Sequence, residues 1–234
     1  MFTTTVGFAV RRIDHLHDML TKLRVIVVLH SISLTDIHLW ESALNVQNKT
    51  AKRVINGIPA QDGRVPWAGQ MKATEQYSNL NNCGVTVIST QWLLTAAHCF
   101  YENSEYYPSQ GGKILHFHID QVILHPNFRP HNLLNDIALI KVRSRIPIDG
   151  TFIAIASLPP AGIGNNIPEA GSVNYVVGWG CMQGDSGSGL ISFQTRVPMV
   201  VGIVSGGDPQ RASSMPAKFT RVAPFVSWIR QYVG

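Results

Sequence analysis

The chain has 234 residues, of which 45% are hydrophobic and 14% are charged, so it can build a sizeable core and has too little charge for a disordered protein. The formal net charge of +5 comes from scattered residues without a basic stripe interleaved with aromatic ones, which argues against a nucleic-acid partner. No apolar run reaches the roughly 18–20 residues that a membrane-spanning helix needs, so we expect no membrane partner.

The N-terminal residues 1–53 lack the dense alternation of strand-like and turn-like segments found later, and we interpret them as a leader or pro-segment. The apolar run 25–29 follows basic residues and, counted from Met19, is typical of a weak signal peptide. A short amphipathic helix in a pro-segment fits the same residues equally well. The sequon at Asn48 is a weak indication of N-glycosylation, which has meaning only in a secreted protein.

Residues 54–234 show short β-rich runs separated by clusters of turn residues, which favours an all-β barrel or sandwich. The runs lie at 83–88, 121–124, 136–142, 172–177 and 197–204. Near the end of the sequence, apolar residues recur at helical spacing between Pro224 and Tyr232. This spacing predicts a C-terminal amphipathic helix that packs on the β-structure.

The possible metal ligands do not form a recognisable set. Three cysteines are present, and an odd number leaves at least one unpaired or paired with another chain. No cysteine spacing resembles a zinc site. His116 and His118 would face the same side of a strand, but no carboxylate or cysteine completes their ligand set. We therefore expect neither a metal ion nor another cofactor.

Three local motifs each supply one residue of the type that nucleophilic catalysis requires. They are Leu94-Thr95-Ala96-Ala97-His98-Cys99, Asn135-Asp136-Ile137-Ala138-Leu139-Ile140 and Gly184-Asp185-Ser186-Gly187. A serine hydroxyl needs a base to take its proton, a histidine titrates near neutral pH, and a buried carboxylate orients that histidine. His98, Asp136 and Ser186 are therefore the predicted catalytic triad. The backbone N–H groups of Gly184 and Ser186 are the predicted oxyanion hole.

These motifs and five further stretches follow one another in an order that resembles trypsin/chymotrypsin-like serine peptidases, with arthropod members as the expected source. The stretches are 53–57, 83–99, 125–126, 135–142, 178–180, 184–187, 202–205 and 219–222. The resemblance implies two antiparallel Greek-key β-barrels with a C-terminal helix. It also implies a secreted endopeptidase that hydrolyses peptide bonds through an acyl-enzyme, with protein or peptide substrates and with protease inhibitors as partners.

The same resemblance implies a precursor that a trypsin-like protease cleaves after Arg53. The new amino group of Val54 would then pair with Asp185 and order the oxyanion hole. A disulfide between Cys83 and Cys99 is also implied, and it indicates an oxidising, extracellular compartment.

The substrate pocket is only partly represented in the sequence. Ser205, Gly207 and Ala217 match positions that line the substrate cleft in the family. Ala217 stands where glycine is usual and would narrow the pocket. The residue that normally decides the preferred substrate side chain falls in a stretch that this sequence lacks, so the sequence does not indicate which side chain the pocket prefers.

The sequence departs from the family most strongly just before the nucleophile. Only five residues separate Gly180 from Ser186, where the family has several dozen, so the second barrel is expected to be incomplete. A smaller deficit trims a strand before Lys113. Cys181 has no matching partner and is predicted to be a free thiol. A degenerate homologue, a splice form and an erroneous gene prediction would each explain the deletion, and we favour the last two.

Two functions follow from these observations. The intact triad favours an endopeptidase. The missing segment favours the alternative, a non-catalytic protease homologue that acts as a binding or regulatory module, or an inactive splice or gene-prediction variant.

Overall fold

In a computed structural model of the protein, the structure describes residues 24–29, 64–71, 83–100, 113–163, 166–178, 185–207 and 217–234, and only the backbone of 24–29 and 113–116. These parts contain ten strands, two short 3₁₀ helices and one α-helix. The strands are β1 (Arg24–Leu29), β2 (Ala68–Met71), β3 (Cys83–Val87), β4 (Trp92–Thr95), β5 (Lys113–Leu124), β6 (Ala138–Val142), β7 (Asn174–Val176), β8 (Gly189–Ser192), β9 (Met199–Gly206) and β10 (Lys218–Arg221). The 3₁₀ helices are Ala97–Phe100 and Ala223–Phe225, and the α-helix, α1, is Val226–Val233.

The first sheet has six strands in the order β1-β5-β6-β4-β3-β2, and every described pair in it is antiparallel. Its central strands are apolar on both faces because both faces are covered. Every residue of β3 and β4 is buried, and β6 is buried except at Lys141. This sheet therefore carries most of the hydrophobic core and holds its strand ends firmly.

The second sheet has four antiparallel strands in the order β10-β9-β8-β7. The middle strands β8 and β9 are mostly buried, whereas β7 is half-buried and β10 is partly exposed. A strand with one uncovered face keeps fewer apolar contacts, so the second sheet has a smaller core than the first.

One crossing segment, residues 153–157, joins the two sheets through backbone hydrogen bonds. The Ala156 N–H donates to Val87 O of the first sheet at 2.9 Å. The Ser157 N–H donates to Pro198 O, and Ser157 O accepts the Val200 N–H, both at 2.9 Å. The segment therefore fixes β3 relative to the start of β9.

The all-β fold class with a C-terminal helix is confirmed: the described chain forms two antiparallel sheets and one α-helix, which is at the C-terminal end. The helix differs slightly from the prediction, because residues up to Phe225 form a 3₁₀ turn and the α-helix starts at Val226. Pro224 lies in that first turn, where its missing N–H costs no hydrogen bond. Val226 and Ile229 then face the core.

At the N-terminal end the structure corrects one of our two interpretations. Arg24–Leu29 is a β-strand, so the amphipathic helix predicted as one alternative is wrong. Four of its six residues are the β-branched Val and Ile, which favour strands, and the edge of β5 offers unpaired backbone groups. The signal-peptide interpretation stays a prediction. No helix in the described parts is long and apolar enough to span a membrane.

Candidate active site

His98 lies in the 3₁₀ helix that follows β4, and its side chain is buried. The neighbouring Cys99 forms a disulfide with Cys83 at the start of β3, with 6.2 Å between the two Cα atoms. This is the disulfide that the family resemblance implies. A second link comes from Thr95, whose hydroxyl donates to Gly84 O at 2.8 Å. The turn that carries His98 is thus attached to β3 on both sides.

Asp136 is fully buried just before β6 and holds His98 with both carboxylate oxygens. Oδ1 accepts the backbone N–H of His98 at 2.8 Å, and Oδ2 lies 2.7 Å from His98 Nδ1. Because an ionised carboxylate only accepts hydrogen bonds, this contact favours the proton on Nδ1 and leaves Nε2 as the basic nitrogen. The hydroxyl of Ser205 donates to the same Oδ2.

The turn before Asp136 requires an unusual backbone. Asn135 has φ of +54°, a left-handed conformation that asparagine tolerates better than most residues. Its side-chain amide donates to Asn127 O at 2.8 Å and fixes the turn. The position of the Asp136 carboxylate is therefore set by local chain geometry as well as by its partners.

Ser186 is placed by the backbone hydrogen bonds around it. Its carbonyl oxygen accepts the Gly84 N–H at 2.7 Å. The next two N–H groups are also engaged, from Gly187 to Val204 O at 2.8 Å and from Ser188 to Asp185 O at 3.0 Å. Within the described parts, the N–H of Ser186 itself donates to no backbone carbonyl, as expected for a donor to an oxyanion.

Gly187 requires glycine for two independent reasons. Its φ of +80° is left-handed, and a Cβ there would come within 2.6 Å of Gly84 O and 3.2 Å of the Cys99 sulfur. The residue after Ser186 therefore packs directly on the disulfide that flanks His98. The contact brings the Ser186 turn beside the His98 turn. Among the hydrogen bonds of the described residues, none joins Ser186 Oγ to His98 Nε2.

Several other predicted site residues lie outside the described residues. They are Asn48, Arg53, Val54, Cys181 and Gly184. Asp185, the predicted partner of the new amino group, is described, and its carboxylate packs against Gly178 so closely that no side chain would fit there.

The predicted pocket residues lie together at one end of the β9–β10 pair. Gly206 pairs with Lys218, so Gly207 and Ala217 follow at the same end of this ladder. Among the described residues other than its chain neighbours, none has a heavy atom within 4 Å of the position that a Cβ at Gly207 would occupy. Ser205 instead is buried and turned towards Asp136. Sequence reasoning placed it in the pocket wall and missed this contact, because the two residues are 69 positions apart.

Among the described residues, one group of side chains of the types that bind metals lies near the site, but its ligand atoms are already engaged. Cys83, His98 and Cys99 have potential ligand atoms within 4.8 Å of one another. The two sulfurs are bonded to each other, however, and Nδ1 of His98 is engaged by Asp136. For the other histidine candidates, His118 is exposed and the side chain of His116 lies outside the described residues.

A buried histidine–carboxylate pair lies beside the tight turn Asp185–Ser188, on two antiparallel sheets. This arrangement defines a site of the serine-protease type. A sequence model of the trypsin family matches residues 54–183 and 181–229 of the chain. The chain therefore belongs to the trypsin family. The two matched parts meet at the position where the sequence predicts a deletion.

The chain is also similar to several curated proteins, two of which are named as serine proteases. The chain is 25% identical to vitamin K-dependent protein C of Rattus norvegicus, over 78% of the chain and 52% of the relative. It is 28% identical to transmembrane protease serine 11A of Homo sapiens, over 82% and 60%. It is also 28% identical to serine protease 56 of Mus musculus, over 63% and 24%. The chain spans about half the length of the first relatives, and these mammalian proteins do not test the expected arthropod source.

Proposed function

We propose that the protein is a serine-type endopeptidase with His98, Asp136 and Ser186 as its catalytic triad. The observation that carries this proposal is the buried set in which Asp136 accepts hydrogen bonds from His98 and Ser205 beside the fixed backbone of Ser186. A buried carboxylate has to be compensated by such donors. In return, the carboxylate of Asp136 holds the imidazole of His98 in the tautomer of a general base.

The residues would share the steps of an acyl transfer. The Ser186 hydroxyl attacks the peptide carbonyl while His98 Nε2 takes its proton. The backbone N–H groups of Gly184 and Ser186 stabilise the resulting oxyanion, a contribution of roughly 3–4 kcal/mol per donor. His98 then gives the proton to the departing amine, and the acyl-enzyme is hydrolysed by water. Asp136 remains ionised throughout and stabilises the charged imidazole.

The proposal includes a precursor that is cleaved after Arg53 by a trypsin-like protease. The new amino group of Val54 would pair with Asp185, next to the nucleophile. This pairing would hold the Asp185–Ser188 turn, and with it the N–H of Ser186, in the position that the oxyanion requires. Replacing Arg53 by Gln should block the cut, and N-terminal sequencing should find Val54 as the first residue of active material.

The proposed compartment is extracellular, because the Cys83–Cys99 disulfide persists in an oxidising environment. Protein or peptide substrates and protease inhibitors are the proposed partners. We propose a shortened segment between Gly180 and Cys181 as the reason why the second sheet has four strands, and the first sheet six, in the described parts of the chain.

A fluorophosphonate probe tests the proposal directly, because it labels only a serine that a working base activates. We expect labelling of the chain cleaved after Arg53 and no labelling of its Ser186→Ala variant. A folded, correctly cleaved chain that takes up no probe would instead support the alternative, a non-catalytic homologue that binds or regulates.

A further inference from the structure

The N-terminal strand β1 belongs to a segment that precedes the proposed cleavage site, yet it is paired with the protease domain. It runs antiparallel to β5, with Arg24 opposite His118, Val27 opposite Leu115 and Leu29 opposite Lys113. All six residues of β1 take part in this pairing. Cleavage after Arg53 would leave this strand intact but no longer covalently joined to the protease domain.

β1 pairs with the first half of β5, and β6 pairs with the second half. In the ladders of the described chain, residues 119–124 of β5 pair with β6 and residues 113–118 pair with β1. His118 O also accepts the Arg143 N–H at 2.9 Å, at the point where the two ladders meet. The family resemblance implies a trimmed strand just before Lys113, and β1 pairs with the stretch of β5 that directly follows this point. An uncovered six-residue edge presents unpaired backbone groups and invites pairing with other chains.

We propose that the segment containing β1 stays bound to the protease after cleavage at Arg53 and serves as the missing edge strand of the first sheet. This inference rests on the proposed activation. All three cysteines lie after Arg53 in the sequence, so no disulfide within the chain can tie the segment to the domain. The two-chain product is held instead by backbone hydrogen bonds between β1 and residues 113–118. The mode is β-strand addition, with a stretch of the same chain as the bound strand.

The register can be tested without any cleavage or activity. In a Cys181→Ser background, Val27→Cys is combined with Leu115→Cys, the residue directly opposite. Opposed residues in an antiparallel pair lie within the Cα separation that a disulfide spans. The matched control combines Val27→Cys with Ile114→Cys, one position away and on the other face. We expect at least about tenfold more cross-link in the matched pair than in the control. Equal yields would overturn the pairing.

Retention is tested with a site-specific protease, whose recognition sequence replaces residues 50–53 so that the cut falls at the same bond. After cleavage, the fragment should co-elute with the domain in native size-exclusion chromatography and separate in denaturant without reductant. Along a paired strand, successive N–H groups point to opposite edges of the strand, so only one of the neighbours Ile26 and Val27 donates its N–H to β5. Replacing that residue by Pro removes one hydrogen bond between β1 and β5, whereas the same change at its neighbour does not. The variant that lacks this hydrogen bond should lose the fragment, whereas Ala43→Pro, outside the strand, should keep it.

The outcomes separate the two proposals. Loss of the unmodified fragment on cleavage would refute its retention and leave the triad untouched. A retained fragment in a chain that takes up no fluorophosphonate would support the strand and contradict the endopeptidase. Secreted material that lacks residues 24–29, as a removed signal peptide would require, would also overturn the inference.

Discussion

The two sheets of the molecule hold different parts of the site and differ in how completely their surroundings are buried. The first sheet carries His98 and Asp136 on strand ends whose surroundings are fully buried, including Leu94 and Ile137, both at 0% exposure. The second sheet has four described strands instead of six, and apolar residues beside it are exposed, with Val173 at 70% and Val197 at 53%.

This difference indicates which contacts hold the residues of the site in position. Ser186 lies between β7 and β8 of the smaller sheet, and its turn is attached to both sheets. Gly84 donates to its carbonyl, and Gly187 packs on the disulfide. The first sheet therefore fixes His98, the proposed base, directly and Ser186, the proposed nucleophile, through contacts across the interface. What the second sheet must still supply is the oxyanion hole and the substrate pocket.

The largest effect expected is on the three residues that the first sheet aligns. In a chain with measurable peptidase activity, Ser186→Ala, His98→Ala and Asp136→Ala should each lower kcat by roughly 10⁴-fold or more. The residues act as one unit, so removing one already disables the others. Hydrolysis of a peptide substrate by the single and double variants measures this. Double variants much slower than either single variant would contradict the triad.

The next effect concerns the second sheet itself. Inserting a family-length segment after Gly180 should raise kcat/KM by roughly 10²–10³, the typical effect of one ordered oxyanion donor. The reason is that new strands would cover the open edge and hold the backbone of Gly184 and Ser186. Peptide hydrolysis and thermal unfolding of both chains measure the gain. If the short chain is monomeric, melts cooperatively and works as fast as the long one, the deletion does not impair the enzyme.

The sequence predicted the first sheet better than the contacts between the sheets. Local motifs with fixed spacing identified His98, Asp136 and the Cys83 disulfide region, because each motif is read within a few residues. The Ser205–Asp136 hydrogen bond was missed because it joins distant parts of the chain. Strand β1 was missed because a short apolar run fits a signal peptide, a helix or a strand until the edge that it covers is known.

The third prediction tests the link between the two turns. Replacing Cys83 and Cys99 together by Ala should lower the free energy of unfolding by about 3 kcal/mol, the loop-closure value for a sequence separation of 16. Urea unfolding of the double variant measures this. Activity should fall as well, because Gly187 packs on the Cys99 sulfur. A double variant as stable and active as the parent would mean that the hydrogen bonds alone hold the site.

The fourth prediction concerns the interface between β3 and β8. The hydroxyl of Ser188 is buried there without a hydrogen-bond partner in the described parts, pressed against Gly84. Because a buried unsatisfied hydroxyl costs about 1–3 kcal/mol, Ser188→Ala should stabilise the protein by about 1 kcal/mol in urea unfolding. The matched control is Ser157→Ala, whose hydroxyl donates to Pro198 O at 2.9 Å and whose loss should be destabilising. Destabilisation by both changes would refute the reasoning.

The smallest effect expected is a pH dependence of the stability of the protein. It arises from His125, which lies where the first sheet meets helix α1. The imidazole makes edge contacts with Phe225 and Trp228, at 4.9 and 5.0 Å between ring centres. Burial lowers the pKa of His125 below its ordinary value of 6.5. Nδ1 also accepts the backbone N–H of Asn127 at 3.3 Å, a hydrogen bond that only the unprotonated nitrogen can accept.

The direction of this pH effect on stability follows from the number of protons that the folded and unfolded chains bind. Near pH 6.5 the unfolded chain binds more protons at His125 than the folded chain, so this histidine favours folding above its unfolded pKa. Its contribution is lost as the pH falls through the lowered folded pKa. The urea midpoint should therefore drop between about pH 7 and pH 5, and His125→Gln should flatten that drop. An identical slope in the His125 variant would show that helix docking does not depend on a neutral imidazole.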